Sequence, residues 1–305
     1  MTELRKHRAF YILSILCLLV LGGCSHSKSP QMANELQFSL NEVSELTISY
    51  DEEKITFFEG NSDELVIKEY MTVNKSSYYA KVNQRSDSIH ISEGDKPLFK
   101  SGFSRYIEVY LPASYHQNLT ITTTDGDIDL SNSDLDLSML RVDSTSGTVQ
   151  LNSVTAAAIH LSSTRGTLKL GSIQAEQIKL ETTSGNVTCT ELNGHVTYTS
   201  TSGNADIRSA IGSGSYKANN SGKLNVAYTD VDGDLLFFNK NDNIDLIIPA
   251  DLEFNFEATT KNGTISTTFQ EGISINGRTT SGTVGDNPAV TIKVETNNGD
   301  IQVTQ

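Results

Sequence analysis

The sequence predicts an all-β chain: a single-domain β-solenoid built from strand–turn–strand repeats of roughly 19 residues. Three observations carry this. Glycines recur at Gly126, Gly147, Gly166, Gly185, Gly203, Gly222, Gly263, Gly282 and Gly299 at that interval. Apolar residues alternate with polar ones on both sides of each glycine. The polar surplus is Ser, Thr, Asn and Asp, which suits strands and turns better than helices.

The chain begins with a targeting pattern. "MTELRKHR" is basic, "AFYILSILCLLVL" is an apolar run shorter than the ~20 residues of a bilayer span, and "LGGC" ends at Cys24. That order resembles the lipobox of bacterial lipoproteins. It implies residues 1–23 as a lipoprotein signal peptide and Cys24 as the site of acyl-chain (palmitate) attachment. The mature protein would then be extracytoplasmic and held to the bacterial cell membrane by the lipid, since two or more chains give stable anchoring. Cys17 leaves with the signal, and Cys189 is left without a disulfide partner.

Residues 24–34 follow as a polar tether, "SHSKSPQMAN" after the cysteine. Residues 35–118 alternate with less regular turns and read as N-terminal irregular β coils or a cap. Such a cover keeps the end of a solenoid soluble.

Residues 119–305 are the regular repeat. Two positions after the turn come Ile128, Val149, Leu168, Val187, Ala205, Leu224, Ile244, Ile265, Val284 and Ile301. Four after come Leu130, Leu151, Leu170, Cys189, Ile207, Val226 and Leu246. Five before come Ile121, Val142, Leu161, Leu180 and Tyr198. Asn241, Asp242 and Asn243 replace the turn glycine once. Glycine at the corner is expected to supply positive φ. At "GSGSYKANNSG" the pattern slips by one, which turns Tyr216 and Ala218 inward and makes Gly212 and Gly214 a bulge or bend. One copy cannot bury its apolar face, but stacked copies can. The chain stops on the strand "GDIQVTQ" with no helix after it, so an open edge is expected there.

"IEVYLP" at 107–112, the iterated Thr-Ser-Gly turns and "IDLIIPADLEFNFEATTKNGTI" together resemble the bacterial "putative adhesin" family of β-strand-repeat proteins, a domain family of unknown function. The resemblance spans roughly residues 40–305. It implies a solenoid-like fold on the cell envelope, a role in adhesion or envelope-stress sensing, and no catalytic residues to carry over.

The chemistry in the sequence is sparse. "ETTSGNVTC" offers Ser184 and Cys189 as nucleophiles, but a hydrolase serine needs a histidine and an orienting group. Ser184 recurs as Ser146, Ser202, Ser221 and Ser281 without a histidine recurring beside it, so it reads as a turn residue. Cys189 shares its register with leucines and reads as core. Outward carboxylates do not line up over successive coils, and the "DGD" and "NGD" turns lack the 6–8 oxygens that Ca²⁺ takes. No cofactor or metal is expected.

The net charge of −14, or −16 once Glu3, Arg5, Lys6 and Arg8 are cleaved away, argues against nucleic acid or anionic lipid as a partner. The densest acidic run, Glu45, Asp51, Glu52 and Glu53, is the expected binding surface. A cell-surface protein, a glycan or a cationic peptide would be its partner. The sequence thus points to a non-enzymatic surface-interaction, adhesion or stress-sensing module. A carbohydrate-active β-helix enzyme and a structural spacer are the alternatives.

Overall fold

The computed structural model describes residues 29–99 and 102–305; the segment expected to be a signal peptide and Cys24 lie outside them. Strands fill the chain, and a single 3-10 turn, Ser76–Tyr78, interrupts them among the described residues. The strands are β1 (Gln31–Ser39), β2 (Glu45–Tyr50), β3 (Lys54–Gly60), β4 (Glu64–Met71), β5 (Lys81–Gln84), β6 (Ser88–Ser92), β7 (Arg105–Pro112) and β8 (Asn118–Thr123). Six long strands follow: β9 (Ile128–Ser144), β10 (Val149–Ser163), β11 (Leu168–Thr182), β12 (Val187–Ser200), β13 (Ala205–Ala218) and β14 (Leu224–Asn239). The remainder are β15 (Ile244–Ile247), β16 (Phe254–Asn262), β17 (Ile265–Thr267), β18 (Ile273–Asn276), β19 (Thr279–Val284), β20 (Val290–Asn298) and β21 (Ile301–Thr304). β1 starts at Gln31, so the folded domain takes in residues 31–34 that the sequence assigns to the tether.

Each long strand leaves one turn, bends, and runs into the next, pairing in parallel with its neighbours over both halves. The predicted columns form except at Val284, which lies in β19. Ile128, Val149, Leu168, Val187, Ala205, Leu224, Ile244, Ile301 and Ile265 pair in that order. On the opposite wall Ile121, Val142, Leu161, Leu180, Tyr198, Tyr216, Phe237, Val294 and Ala258 do the same, and all nine are buried. The slip at Gly212 is present, with φ +115 there and Tyr216 and Ala218 fully buried. Tyr216 stacks on Phe237 at 4.7 Å between centroids. Its hydroxyl meets that of Tyr228 at 3.0 Å, so neither buried oxygen lacks a partner.

The turn glycines serve a different purpose from the one expected. Among the predicted turn positions only Gly222 has positive φ. A Cβ on Gly147 would lie 1.9 Å from the carbonyl oxygen of Gly126, and one on Gly166, Gly185 or Gly203 would lie 2.0–2.1 Å from that of the glycine one layer back. Glycine is required because backbone packs on backbone at the corner. At two corners a hydroxyl three residues earlier accepts from the glycine amide: Gly126 donates to Thr123 Oγ1 at 2.9 Å and Gly203 to Ser200 Oγ at 2.6 Å.

Gly282 corrects the repeat count. It lies in β19, which pairs antiparallel with β16 and β18. The chain reverses at Gly277, φ +62, and the 273–284 segment is a hairpin laid on the side of β16 rather than a coil.

The layers are not stacked in chain order either. β20 pairs with β14 on one side and β16 on the other, and β21 lies between β15 and β17. The last strand is therefore interior, not the expected open edge. The other end mirrors this: β2 sits between β6 and β8, and β3 between β7 and β9. Beyond β6 and β7 the end is closed by antiparallel β5, β4 and β1. At ~4.8 Å per layer the stack is on the order of 60 Å long.

Gly185→Ala should lower stability by about 1–3 kcal/mol, the range for overpacking, because the obstruction is the Gly166 carbonyl and not a movable side chain. Gly277→Ala, where nothing lies within 4 Å of the added carbon, should cost less despite its positive φ. Urea unfolding of the two variants reads the difference, and equal midpoints would contradict the backbone-contact account.

Candidate functional site

The glycine column ends at Glu53, whose carbonyl oxygen lies 2.0 Å from where a Cβ on Gly126 would be. In the next layer outward the described residues 93–99 and 102–104 lie between β6 and β7, where the inner layers have a tight corner, and Glu53 carries a carboxylate side chain there. That carboxylate turns inward. Glu53 is 5% exposed, and its Oε1 accepts from Arg105 Nε at 3.1 Å and Nη2 at 2.8 Å. Arg105 also donates to Glu93 and, at 2.7 Å, to the Tyr78 carbonyl. Lys96 Nζ lies 2.6 Å from Glu93 and 3.8–4.0 Å from Glu53, Glu52 and Asp51.

The expected acidic binding face is thus divided. Glu53 belongs to an internal ion cluster, because a buried carboxylate must be paired. Asp51 and Glu52 stand at its exposed rim beside Lys96. The Asp51 carbonyl accepts from the amides of Thr124, Asp125 and Gly126, so its backbone seats the following turn. Glu45 is exposed at the start of β2, beside Ser88 and Asn118.

A second carboxylate is buried nearby. Glu69 accepts from Tyr50 Oη at 3.2 Å, Asn34 Nδ2 at 2.7 Å and the Ala80 amide at 2.8 Å. Burial, with the charge of Glu69, pushes the Tyr50 hydroxyl well up. These contacts tie β1, β2, β4 and the β4–β5 connection together.

The outward face of the same region carries a feature the sequence reading missed. On most layers outward positions hold Thr, Ser, Lys, Asp or Glu. On β3, β4 and β7 they hold aromatic rings. Tyr70 stacks on Tyr106 at 4.5 Å with planes 6° apart, and Phe58 on Tyr110 at 5.2 Å. Glu108 sits between them and accepts from both Tyr70 Oη, 3.0 Å, and Tyr110 Oη, 2.9 Å. Lys68 Nζ lies 4.7 Å from the Tyr110 centroid. Burial and the bond to Glu108 push the Tyr70 hydroxyl up to about 12, so it stays protonated at neutral pH. All four rings are half-buried. The signal was present in "YIEVY" and "IKEY", where aromatic residues take the outward parity of strands whose inward parity is aliphatic.

The candidate nucleophiles are occupied elsewhere. Ser184 Oγ donates to the Thr164 carbonyl at 3.4 Å. Cys189 is 2% exposed, bonds to the Glu191 carbonyl at 3.2 Å, and its thiol is pushed up to about 12 by burial, far from the thiolate that reactivity needs. His195 meets Ser213 Oγ at 3.0 Å, but among the described residues no carboxylate orients that ring. His160 is bonded on both nitrogens, to Arg141 at 3.0 Å and Glu181 at 2.7 Å. It is part of an outward ion lattice that includes Asp143 and Lys179.

The acidic turns are used by the stack itself. Asp127 Oδ1 accepts from the Thr148 amide at 2.7 Å and Asp300 Oδ1 from that of Thr264 at 2.8 Å. Among the described residues no three His, Cys, Asp or Glu side chains could together hold a metal ion.

Arg105→Met should destabilise the domain by about 3–5 kcal/mol, the cost of stranding buried charge, since Glu53 and Glu93 lose their shared partner. The double variant Glu53→Gln/Arg105→Met should recover part of that loss. Chemical unfolding measures both, and a single variant as stable as the parent would refute the pairing.

No curated protein sequence matches the chain. The chain is similar to several solved structures at low identity. A "putative lipid binding protein" from Parabacteroides distasonis is 11% identical, with TM-score 0.46 over 88% of this chain and 96% of the other. A "putative adhesin" from the same organism is 12% identical, with TM-score 0.43 over the same shares. A "putative adhesin" from Parabacteroides merdae is 13% identical, with TM-score 0.38 over 89% of this chain and 96% of that one. At the level of sequence, residues 43–304 match the toastrack DUF4097 domain, and over that span the chain belongs to the toastrack family.

Proposed function

We propose that this chain is a non-enzymatic, lipid-anchored module of the bacterial cell envelope that binds a surface partner through the aromatic face of β3, β4 and β7. The observation that carries the reading is the ring cluster Phe58, Tyr70, Tyr106 and Tyr110 around Glu108. It is an amphipathic surface with hydroxyl donors, a carboxylate acceptor and a nearby ammonium, the composition that recurs in binding hot spots. On the middle layers, β9 to β12, the outward positions are mostly polar or charged. The occupied serine, cysteine and histidine side chains support a binding role over a hydrolytic one. Anchoring rests on the lipobox at Cys24, with residues 24–30 as the remaining tether. The partner class is a cell-surface protein or a glycan; an acidic chain with a divided acidic cluster is a weaker match to a cationic peptide.

Two measurements test this. Cys24→Ala should abolish incorporation of radiolabelled palmitate into the expressed chain, and label retained in that variant would remove the anchor from the proposal. Tyr70→Ser/Tyr110→Ser should weaken binding to isolated envelopes by about tenfold or more, since truncating a hot-spot tyrosine costs over ~1 kcal/mol. Circular dichroism would show the fold retained. Protease-treated and periodate-treated envelopes separate a protein partner from a glycan, and undiminished binding by the double variant would eliminate the aromatic face.

A further inference from the structure

Nine large apolar side chains are exposed among the described residues; Ile211, Leu236, Ile247 and Ile275 are spread over later layers, and the two most exposed stand side by side. Leu98 is 98% exposed and Phe99 is 86% exposed, on the loop between β6 and β7. Met32 on β1, Val73 after β4 and Val82 on β5 are exposed as well. All five lie toward the β1 end of the stack: Met32, Val73 and Val82 on or beside the closing strands, and Leu98 and Phe99 on the loop of the β6–β7 layer next inward. Two adjacent, fully projecting apolar residues have no role in the packing of the core. A polar envelope protein that projects such a pair exposes it to something apolar.

The path of the chain indicates what that is. β1 begins at Gln31, which pairs with Met71. The next residue, Thr72, is bonded through its amide to the Ser104 carbonyl at 3.0 Å and through its hydroxyl to the Gly102 carbonyl at 2.8 Å. The Asp95 amide donates to the Ser77 carbonyl at 2.9 Å. The start of β1 and the base of the 93–104 loop therefore meet at one corner. From Cys24 to Gln31 is seven residues, a reach of at most about 25 Å. A lipid on Cys24 brings this corner to the bilayer, whereas the opposite end lies on the order of 60 Å away along the stack.

We propose that the β1 end of the stack is a membrane-contact surface in which Leu98 and Phe99 insert into the lipid interface beside the acylated Cys24, fixing the rod at the bilayer by two points. This rests on the lipid-anchor reading above. One flexible tether leaves orientation free; a second apolar contact constrains it.

The absence of tryptophan from the sequence makes the test direct. Full-length acylated protein carrying Phe99→Trp is reconstituted into phosphatidylcholine/phosphatidylglycerol vesicles containing brominated phosphatidylcholine. A matching protein carries Ile275→Trp, at a position 70% exposed at the opposite end of the stack. The reporter at 99 should shift to shorter wavelength and be quenched at least about twofold more than the one at 275. Equal quenching at both positions, or none at 99, overturns the proposal. A blue shift at 99 that follows protein concentration and ignores bromolipid makes this end a contact between copies of the chain, which also overturns it. Palmitate labelling of the same preparations separates the two readings. If Cys24 carries no label, the anchor fails, and the reporter at 99 with added vesicles decides the insertion independently. If Cys24 is labelled and 99 behaves as 275 does, the insertion alone fails.

Discussion

The structure depends on how closely one corner can approach the next. Parallel strands fix the layer spacing at ~4.8 Å, and the corner backbone must follow the same repeat without splaying. It does so by laying each glycine Cα over the carbonyl oxygen of the previous layer, where an added Cβ would lie about 2 Å from that oxygen. Amide hydrogen bonds between successive corners, such as Ser184 to the Thr164 carbonyl at 2.8 Å, accompany the contact. With the corner fixed, the flanking strands are in register, and the alternation of apolar and polar residues assigns every side chain to the interior or the surface. The corner contact, the register and the core are a single constraint seen at three positions.

Much of this was legible in the sequence because the interior is periodic. Val187 and Cys189 are inward for the same reason as Leu168 and Leu170, and the slip that brings Tyr216 inward announced itself as Lys217 in an apolar column. Two things were not legible. The reason for the glycines is a contact between residues about 19 positions apart, which no local dihedral preference encodes. The spatial order of the layers is also invisible to a periodicity, since coils of equal length and pattern fit above or below one another equally well. A weak trace existed around Gly282, where Gly277 and Asp286 occupy positions that elsewhere hold core residues. That mismatch marks the hairpin.

The candidate site was legible only in part, because surface meaning depends on what lies across the ladder. Glu53, Asp51 and Glu52 are adjacent in the chain, yet Arg105, 52 residues away, decides that one of them is interior. Tyr70 and Tyr106 become a stacked pair only when β4 runs antiparallel to β7. Charge density along the sequence drew attention to the right end of the molecule. It passed over the outer side of that end, where Tyr70 and Tyr106 stack, and it could not show that Glu53 is turned inward to Arg105.

The interleaving of both ends bears on how the protein is made. A chain emerging from its N-terminus lays down β2 and β3 before β6 and β7, the layer that must cover them, exists. Its final residues, 299–305, are the ones that fill the slot between β15 and β17. Neither end of the stack can therefore be completed by simple addition of the next coil. Closure waits for a segment to enter a gap held open by strands made earlier, and β15 and β17 are unpaired on their facing edges until β21 enters between them. The same geometry leaves Gln305 bonded to the carbonyls of Pro249 and Ala250, so an extension added at the C-terminus would emerge from inside the stack, beside the 248–253 connection, and not from its free end.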